Sequence, residues 1–333
     1  MKAQKIAVLG AGAWGTALSV IWASRGHAIL LWGKNASRIE ELRKSRENSA
    51  YLPGINLPPE IDLTSELGDC ASADLIVFAI RSTALRETAG ALKNTGINPD
   101  SVLLSCIKGI EHGTGKRMSE ILAENFLRHT FAVLSGPNLA AEVSRGLPTA
   151  TVLACTKPDY ASELQNLLGT PRFRIYTGGD LSGVELGGAL KNVFAIAAGA
   201  GDGLGLGDNS KAALVTRSLA EMVRLGTKMG GELRTFYGLS GAGDLVATCF
   251  SQHSRNRRAG EELANGRSLE EIASLTGTVA EGIPTAKSAH ECGRKLGVET
   301  PIIDQVYSLL YEGKAPAQAM EELLRREQKA ETI

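Results

Sequence analysis

Residues 5–26 constrain the fold more tightly than any other stretch. Lys5 to Gly10, KIAVLG, is a short apolar run ending in glycine, the pattern of a strand buried in a parallel sheet. Gly10-Ala11-Gly12-Ala13-Trp14-Gly15 follows at once, then a helical pattern from Thr16 to Arg25 that stops at Gly26. This is G-x-G-x-x-G in the strand–turn–helix setting that a dinucleotide site needs. Gly10 permits the tight turn, Gly12 lets a pyrophosphate approach the backbone, and Gly15 lets helix and strand pack closely. The helix amino end adds N–H groups and a positive partial charge for the phosphates.

The second strand, Ala28 to Trp32, ends at Gly33-Lys34-Asn35. An NAD-selective site usually places Asp or Glu there for the ribose 2′-hydroxyl. Lys34 suits the 2′-phosphate of NADP instead, so NADP(H) is favoured and NAD(H) possible; an exposed turn lysine is the alternative. Further apolar strands are expected at 74–80, 101–107, 131–134, 149–155 and 173–176, with helices at 83–93, 118–125 and 158–168. This alternation argues for a doubly wound, mostly parallel α/β sheet. Ligands sit beyond the carboxyl ends of its strands, which singles out Arg81-Ser82, Lys108-Gly109 and Ser135-Gly136-Pro137-Asn138. Lys108 can face an anionic substrate there, or be a plain loop lysine.

From about Ser182 strand-like runs give way to helical ones at 183–200, 210–229, 254–265, 283–295, 302–311 and 316–328. At 333 residues the chain exceeds a usual single core. The expected division is therefore 1–180, a Rossmann domain, and 181–333, an all-α domain. The first long helix of the second domain carries one lysine, Lys191, with Gly187 and Gly188 on one side of it and Phe194 and Ala195 on the other. The glycine side is open to another backbone or a ligand. The apolar side desolvates the amine and lowers its pKa toward a value useful for proton transfer. A lysine snorkelling to solvent is the bland alternative. Ser254-Arg255-Asn256-Arg257-Arg258 combines a serine cap, a helix amino end and arginines, which together suit a phosphate. Arginines at a helix start oppose its dipole, so a compensating anion is expected; a solvated basic face is the alternative.

Charge is balanced at 36 basic and 36 acidic residues, which gives no electrostatic case for nucleic acid or an anionic membrane. The glycines at 10, 12 and 15 spoil a signal-peptide reading of the amino end. Glu185, Lys191, Asp202 and eight glycines argue against membrane insertion of 181–207. Five scattered cysteines suit a reducing cytoplasm. Gly115-Lys116 is not a P-loop, and neither H-E-x-x-H nor G-x-S-x-G occurs, so no metal site is expected.

As a set, the motifs resemble the bacterial-type NAD(P)-dependent glycerol-3-phosphate dehydrogenases. The resemblance runs from Gly10 to Leu18 through Lys108-Gly109, Ser135 to Asn138, Gly187 to Asn192 and Gly241 to Leu245. It continues in Ser254 to Arg258 and Val279 to Gly282, and so covers nearly the whole chain in order. It implies a Rossmann domain and a helical domain similar to that of 6-phosphogluconate dehydrogenases. It also implies reversible hydride transfer between C4 of the nicotinamide and C2 of dihydroxyacetone phosphate, giving sn-glycerol 3-phosphate for phospholipid synthesis. A homodimer is the implied assembly. Lys191 matches the family's proton acceptor. Lys108, Gly136, Asn138, Lys191, Asp244, Ser254, Arg255 and Asn256 fall at substrate positions. Ala13, Trp14, Lys34, Lys108, Ala140, Arg255, Val279 and Glu281 fall at cofactor positions, beside the glycines at 10, 12 and 15. In the implied mechanism Lys108 stabilises an oxyanion and Asp244 orients Lys191 or the substrate hydroxyl. Two positions depart from the family: Asn138 replaces the more usual Ser or Thr, and Arg81 the more usual Pro, which implies a differently shaped loop. A dehydrogenase of a non-phosphorylated hydroxy acid and a non-catalytic NADP-binding sensor are the competing classes. The arginine cluster argues against the first, and two lysines converging on one site argue against the second.

Overall fold

The computed structural model describes residues 4–276, 280–327 and 330–331. The backbone divides into two compact units, Met1–Ile107 with Met118–Leu181, and Lys108–Arg117 with Ser182–Ile333. A single cut near residue 180 therefore leaves out one excursion, Lys108–Arg117, which belongs with the second unit.

The first unit holds β1 (Lys5–Leu9), β2 (Ala28–Trp32), β3 (Ile61–Thr64), β4 (Leu75–Phe78), β5 (Val102–Ser105), β6 (Thr130–Ser135), β7 (Thr149–Cys155) and β8 (Phe173–Gly178). They form one sheet in the order β3-β2-β1-β4-β5-β6-β7-β8, parallel throughout except where β6 meets β7. The order reverses between β1 and β4, the switch point at which such sheets open a ligand crevice. Helices α1 (Ala13–Ala23), α2 (Ala36–Ser45), α3 (Leu85–Lys93), α4 (Met118–Asn125), α5 (Ala140–Val143) and α6 (Pro158–Leu168) connect the strands. Along β1 the side chains alternate between two cores. Ile6 and Val8 pack with Leu18 and Trp22, whereas Ala7 and Leu9 pack with Ile76 and Phe78. Both faces are buried, which is why the strand reads as an unbroken apolar run.

The glycine turn after β1 is dictated by contact distances. Gly10 takes φ +121°, and a Cβ on it would lie 2.5 Å from the Ala79 carbonyl oxygen. A Cβ on Gly15 would lie 2.0 Å from the Gly10 carbonyl oxygen, so α1 can meet β1 this closely only through glycine. Gly12 is different: nothing lies within 4 Å of the corresponding position. Packing does not demand that glycine.

The second unit is helical: α7 (Leu181–Gly203), α8 (Gly207–Lys228), α9 (Leu233–Phe236), α10 (Asp244–Phe250), α11 (Arg255–Ala264), α12 (Leu269–Thr276), α13 (Gly282–Leu296), α14 (Pro301–Tyr311) and α15 (Pro316–Leu324). From Gly183 to Ala200 only Ala197 of α7 is less than fully buried. A helix buried on every side lies inside its unit, and Leu190 and Phe194 meet Met222, Phe236 and Ile303 in the core. The excursion folds back on itself through a bridge between Ile110 and Arg117. It is clipped to α7 by Arg117 Nη1, which donates to Glu185 Oε2 at 2.7 Å. A second clip comes from α13, where Ser288 Oγ donates to the Ile110 carbonyl at 2.9 Å.

The two inner glycines should separate in experiment. Gly15→Ala is expected to lose about 1–3 kcal/mol by overpacking, whereas Gly12→Ala should melt with the parent and bind NADPH more weakly. Thermal melts with and without NADPH check this; a Gly15→Ala protein as stable as the parent would contradict the contact argument.

Candidate active site

A one-residue change of helical pitch sets the centre of the second unit. Leu239–Gly243 forms a π-helical turn that runs directly into α10; such turns mark functional sites in many helices. Glycine makes the turn possible. A Cβ on Gly241 would lie 2.1 Å from the Phe236 carbonyl oxygen, and one on Gly187 would lie 2.7 Å from that of Ser240. The open side of Lys191 foreseen at Gly187 is thus met by backbone, and the contact brings the start of α10 against α7.

Asp244, the first residue of α10, is buried there with its side chain 2 % exposed. Lys108 Nζ donates to its Oδ2 at 2.5 Å and Lys191 Nζ to its Oδ1 at 2.8 Å. Thr248, one turn further along α10, accepts from Lys191 Nζ at 2.6 Å and donates to Asp244 Oδ1 at 3.2 Å. Burial drives the Lys191 amine down from the ordinary 10.5 to about 8; the Asp244 carboxylate opposes that shift and the Lys108 ammonium adds to it. Burial would raise Asp244, but the two ammonium groups outweigh it and hold the carboxyl below its ordinary range. Lys191 is therefore not a snorkelling lysine.

Ser254 caps α11, accepting from Arg257 N at 3.2 Å, while Arg255 at the first helical position is exposed. Arg257 and Arg258 each meet an anion within the protein. Arg257 Nε reaches Asp202 Oδ2 at 2.5 Å, and Arg258 Nε lies 3.9 Å from Glu262. Asn256 is a buried strut, donating to Asn192 Oδ1 and accepting from Gly282 N, each at 2.8 Å. Glu281 stands at the amino end of α13. Val279 lies outside the described residues.

The remaining candidates belong to the first unit. Gly12 caps α1, and the open space above it leaves the backbone accessible as a pyrophosphate requires. The loop is braced by Asn48, buried, whose Nδ2 donates to the Ala11 carbonyl at 3.0 Å and to Thr16 Oγ1 at 2.8 Å. Ala13 opens α1, and Trp14 packs 6.4 Å from Phe173 between ring centres. Lys34 pairs with Glu87 at 2.8 Å, both well exposed. Ala140 begins α5. Gly136 takes φ +156°, and a Cβ there would lie 3.0 Å from the Thr151 Cα. Asn138 donates to Thr151 Oγ1 at 2.9 Å, which in turn donates to the Ser135 carbonyl, while the buried Asn138 Oδ1 and Ser135 Oγ have no partner among the described residues. Arg81 takes φ −66°, a value that a proline ring would also adopt there.

Thr248, Asn192 and Asn48 escape the sequence reading. Thr248 lies four residues after Asp244, a spacing that would point to it once α10 is recognised, and Asn192 adjoins Lys191. Asn48 follows no periodicity.

Among the described residues no group of three or more His, Cys, Asp or Glu is arranged to hold a metal. Also among them, no helix is long and apolar enough to cross a membrane.

Two family models match in succession, the N-terminus of NAD-dependent glycerol-3-phosphate dehydrogenase over residues 5–161 and its C-terminus over 180–321. The glycerol-3-phosphate dehydrogenase [NAD(P)+] of Desulfitobacterium hafniense is 45% identical over 98% of this chain and 93% of its own length. That of Moorella thermoacetica is 46% identical over 97% and 96%. The crystal structure of glycerol-3-phosphate dehydrogenase from Coxiella burnetii superposes with a TM-score of 0.94 at 37% identity, covering 97% of this chain and 99% of that one. The chain belongs to the NAD-dependent glycerol-3-phosphate dehydrogenase family.

Proposed function

We propose that Lys191 is the acid–base group of an NAD(P)-dependent sn-glycerol-3-phosphate dehydrogenase, with Lys108 beside it as the electrostatic stabiliser. The observation that carries this is the buried Asp244 carboxylate shared by the two ammonium groups. The reaction interconverts dihydroxyacetone phosphate and sn-glycerol 3-phosphate and supplies the latter for glycerophospholipid synthesis. The bound dinucleotide supplies or takes the hydride at C2. In the reducing direction Lys191, as the ammonium, donates a proton to the forming alkoxide; in the oxidising direction the neutral amine removes it. Lys108 faces the negative charge that develops on that oxygen. Asp244 and Thr248 hold the Lys191 amine in place, so little reorganisation is left for the reaction itself.

Arg255, with Ser254 and Asn256, holds the substrate phosphate away from the reacting carbon. In the first unit Gly10, Gly12, Ala13, Trp14, Gly15 and Ala140 serve the dinucleotide, and Gly136 and Asn138 the substrate; in the second unit Glu281 serves the dinucleotide. The Asn138 amide stands in place of the family's hydroxyl, its Nδ2 donating to Thr151 Oγ1. Lys34 serves the 2′-phosphate of NADP(H). Its present partnership with Glu87 is an exposed pair, weak enough to exchange for a phosphate. The proposal extends to a cytoplasmic homodimer. Five free thiols, four of them buried, suit a reducing compartment.

Lys191→Ala should lower kcat by about 10²–10⁴-fold while NADPH affinity holds. In the parent enzyme the reducing direction should fall as pH rises through about 8, where the ammonium is lost, and the oxidising direction should rise over the same interval. Initial rates in both directions across pH check this, and parallel limbs in the two directions would remove Lys191 from the proton transfer. Arg255→Ala should raise KM for dihydroxyacetone phosphate with kcat affected much less; steady-state kinetics reporting an unaltered KM would place the phosphate elsewhere. Lys34→Met should lower the ratio of kcat/KM with NADPH to that with NADH by about tenfold, the scale of one lost ionic contact. A ratio equal to the parent's would discard Lys34 as the selector.

A further inference from the structure

Three helices of the second unit meet at one carboxylate outside the centre already described, and a fourth packs against one of its partners. Asp202, near the end of α7, accepts on a single oxygen from Arg257 Nε of α11 at 2.5 Å and from Lys211 Nζ of α8 at 2.8 Å. The Lys211 ammonium also sits 4.8 Å above the ring centre of Phe250, which ends α10. The three charged side chains are between 10 % and 19 % exposed, well shielded from water and salt. Around this knot the backbones of α7 and α11 touch. A Cβ on Gly199 would lie 1.7 Å from the Arg257 carbonyl oxygen, and one on Gly260 would lie 1.9 Å from that of Ile196.

These are the helices that carry Lys191, Asp244 and Thr248, and the Ser254–Asn256 cap. The glycine contacts fix how closely α7 and α11 approach but leave α11 able to slide or roll. A charged clasp at its first turn removes that freedom. The geometry points to Asp202 as a positioning residue that sets the phosphate-holding end of α11 in register with Lys191. This inference rests on the reading of Ser254, Arg255 and Asn256 as the phosphate end. Asp202 touches neither the reacting atoms nor the phosphate; it acts through Arg257. With the carboxylate neutralised, Lys211 and Arg257 would be two neighbouring cations without their shared anion, and Arg257 would turn toward Glu261 of its own helix, 3.5 Å from its Nη1. The first turn of α11 would then be tied to α7 only by the Asn256–Asn192 hydrogen bond and the glycine contacts, without its charged clasp.

The test compares dihydroxyacetone phosphate with dihydroxyacetone, which lacks the phosphate, in the full chain at saturating NADPH. Asp202→Asn should raise KM for dihydroxyacetone phosphate by between about tenfold and about a hundredfold, the range expected for a misplaced contact. Its kcat/KM for dihydroxyacetone should be unchanged, and Asp202→Glu should restore part of the loss. Lys211→Met, which spares the Asp202–Arg257 pair, should show the same bias more weakly, and it carries the test if Asp202→Asn does not fold. Equal losses for both substrates, or no loss for either, in whichever of these variants folds would overturn the positioning role. Arg255→Ala is the reference. If it fails to separate the two substrates, the phosphate reading itself is wrong and the inference falls with it. If it separates them and Asp202→Asn does not, only the inference falls.

Discussion

A carboxylate buried between two ammonium groups is the interaction on which the chemistry proposed for the second unit depends. Asp244 is nearly inaccessible, and an isolated carboxylate taken out of water would take up a proton rather than stay charged. The hydrogen bonds from Lys108 and Lys191 reverse that preference and hold it as the anion. The converse is as important. Without Asp244, two cations would share a desolvated pocket, and removing one member of a buried charge set is strongly destabilising. With all three charged, the cluster carries one excess positive charge in a shielded place. That excess suits an anionic oxygen forming next to it, and it vanishes once Lys191 gives up its proton.

Such a cluster must be built from backbone before side chains can meet. Lys108 and Asp244 are 136 residues apart in sequence, and Lys191 and Asp244 are 53 apart. Glycine closes these distances. Gly187 admits the π-helical turn to α7, Gly241 admits that turn to α9, and Gly199 and Gly260 admit α11. Each contact places a carbonyl oxygen where any Cβ would collide, so the 38 glycines are in part a requirement for close crossing rather than flexibility. The excursion Lys108–Arg117 supplies the last member. Its Arg117 reaches the buried Glu185, on the same helix as Lys191, so the segment bearing Lys108 and the helix bearing Lys191 are tied by a second ion pair.

Local pattern made the sheet legible. Strands such as 149–155 and helices such as 158–168 announce themselves because both faces of the sheet are buried and the helices alternate with it. What stayed hidden lacks a local signal. Strand β3 is four residues long and follows a stretch rich in proline and glycine. The helix α10 is short and masked by the glycines before it, although it carries Asp244 and Thr248. The arginines of residues 255–258 show the limit most clearly. A compensating anion was a sound expectation from the helix dipole, yet for Arg257 it is Asp202, 55 residues away, rather than a bound phosphate. Sequence identifies that a charge must be answered; only the fold says by what.

The same balance explains why a lysine can serve here. An ordinary lysine, at 10.5, holds its proton too firmly to be an effective acid near neutral pH and is too rarely neutral to be a base. Full burial in apolar surroundings would carry it too far the other way and leave it uncharged. Lys191 lies between these limits because burial and Lys108 push its pKa down while Asp244 pulls it up. At a value of about 8 the amine is about nine-tenths protonated at pH 7, charged enough to donate and acidic enough to do so readily. Reduction of the ketone calls for that state, and oxidation of the alcohol for its conjugate. In the mechanism proposed for Lys191, Asp244 is therefore more than an orienting group: it sets how far the lysine's pKa is displaced, and so which direction the residue serves at a given pH.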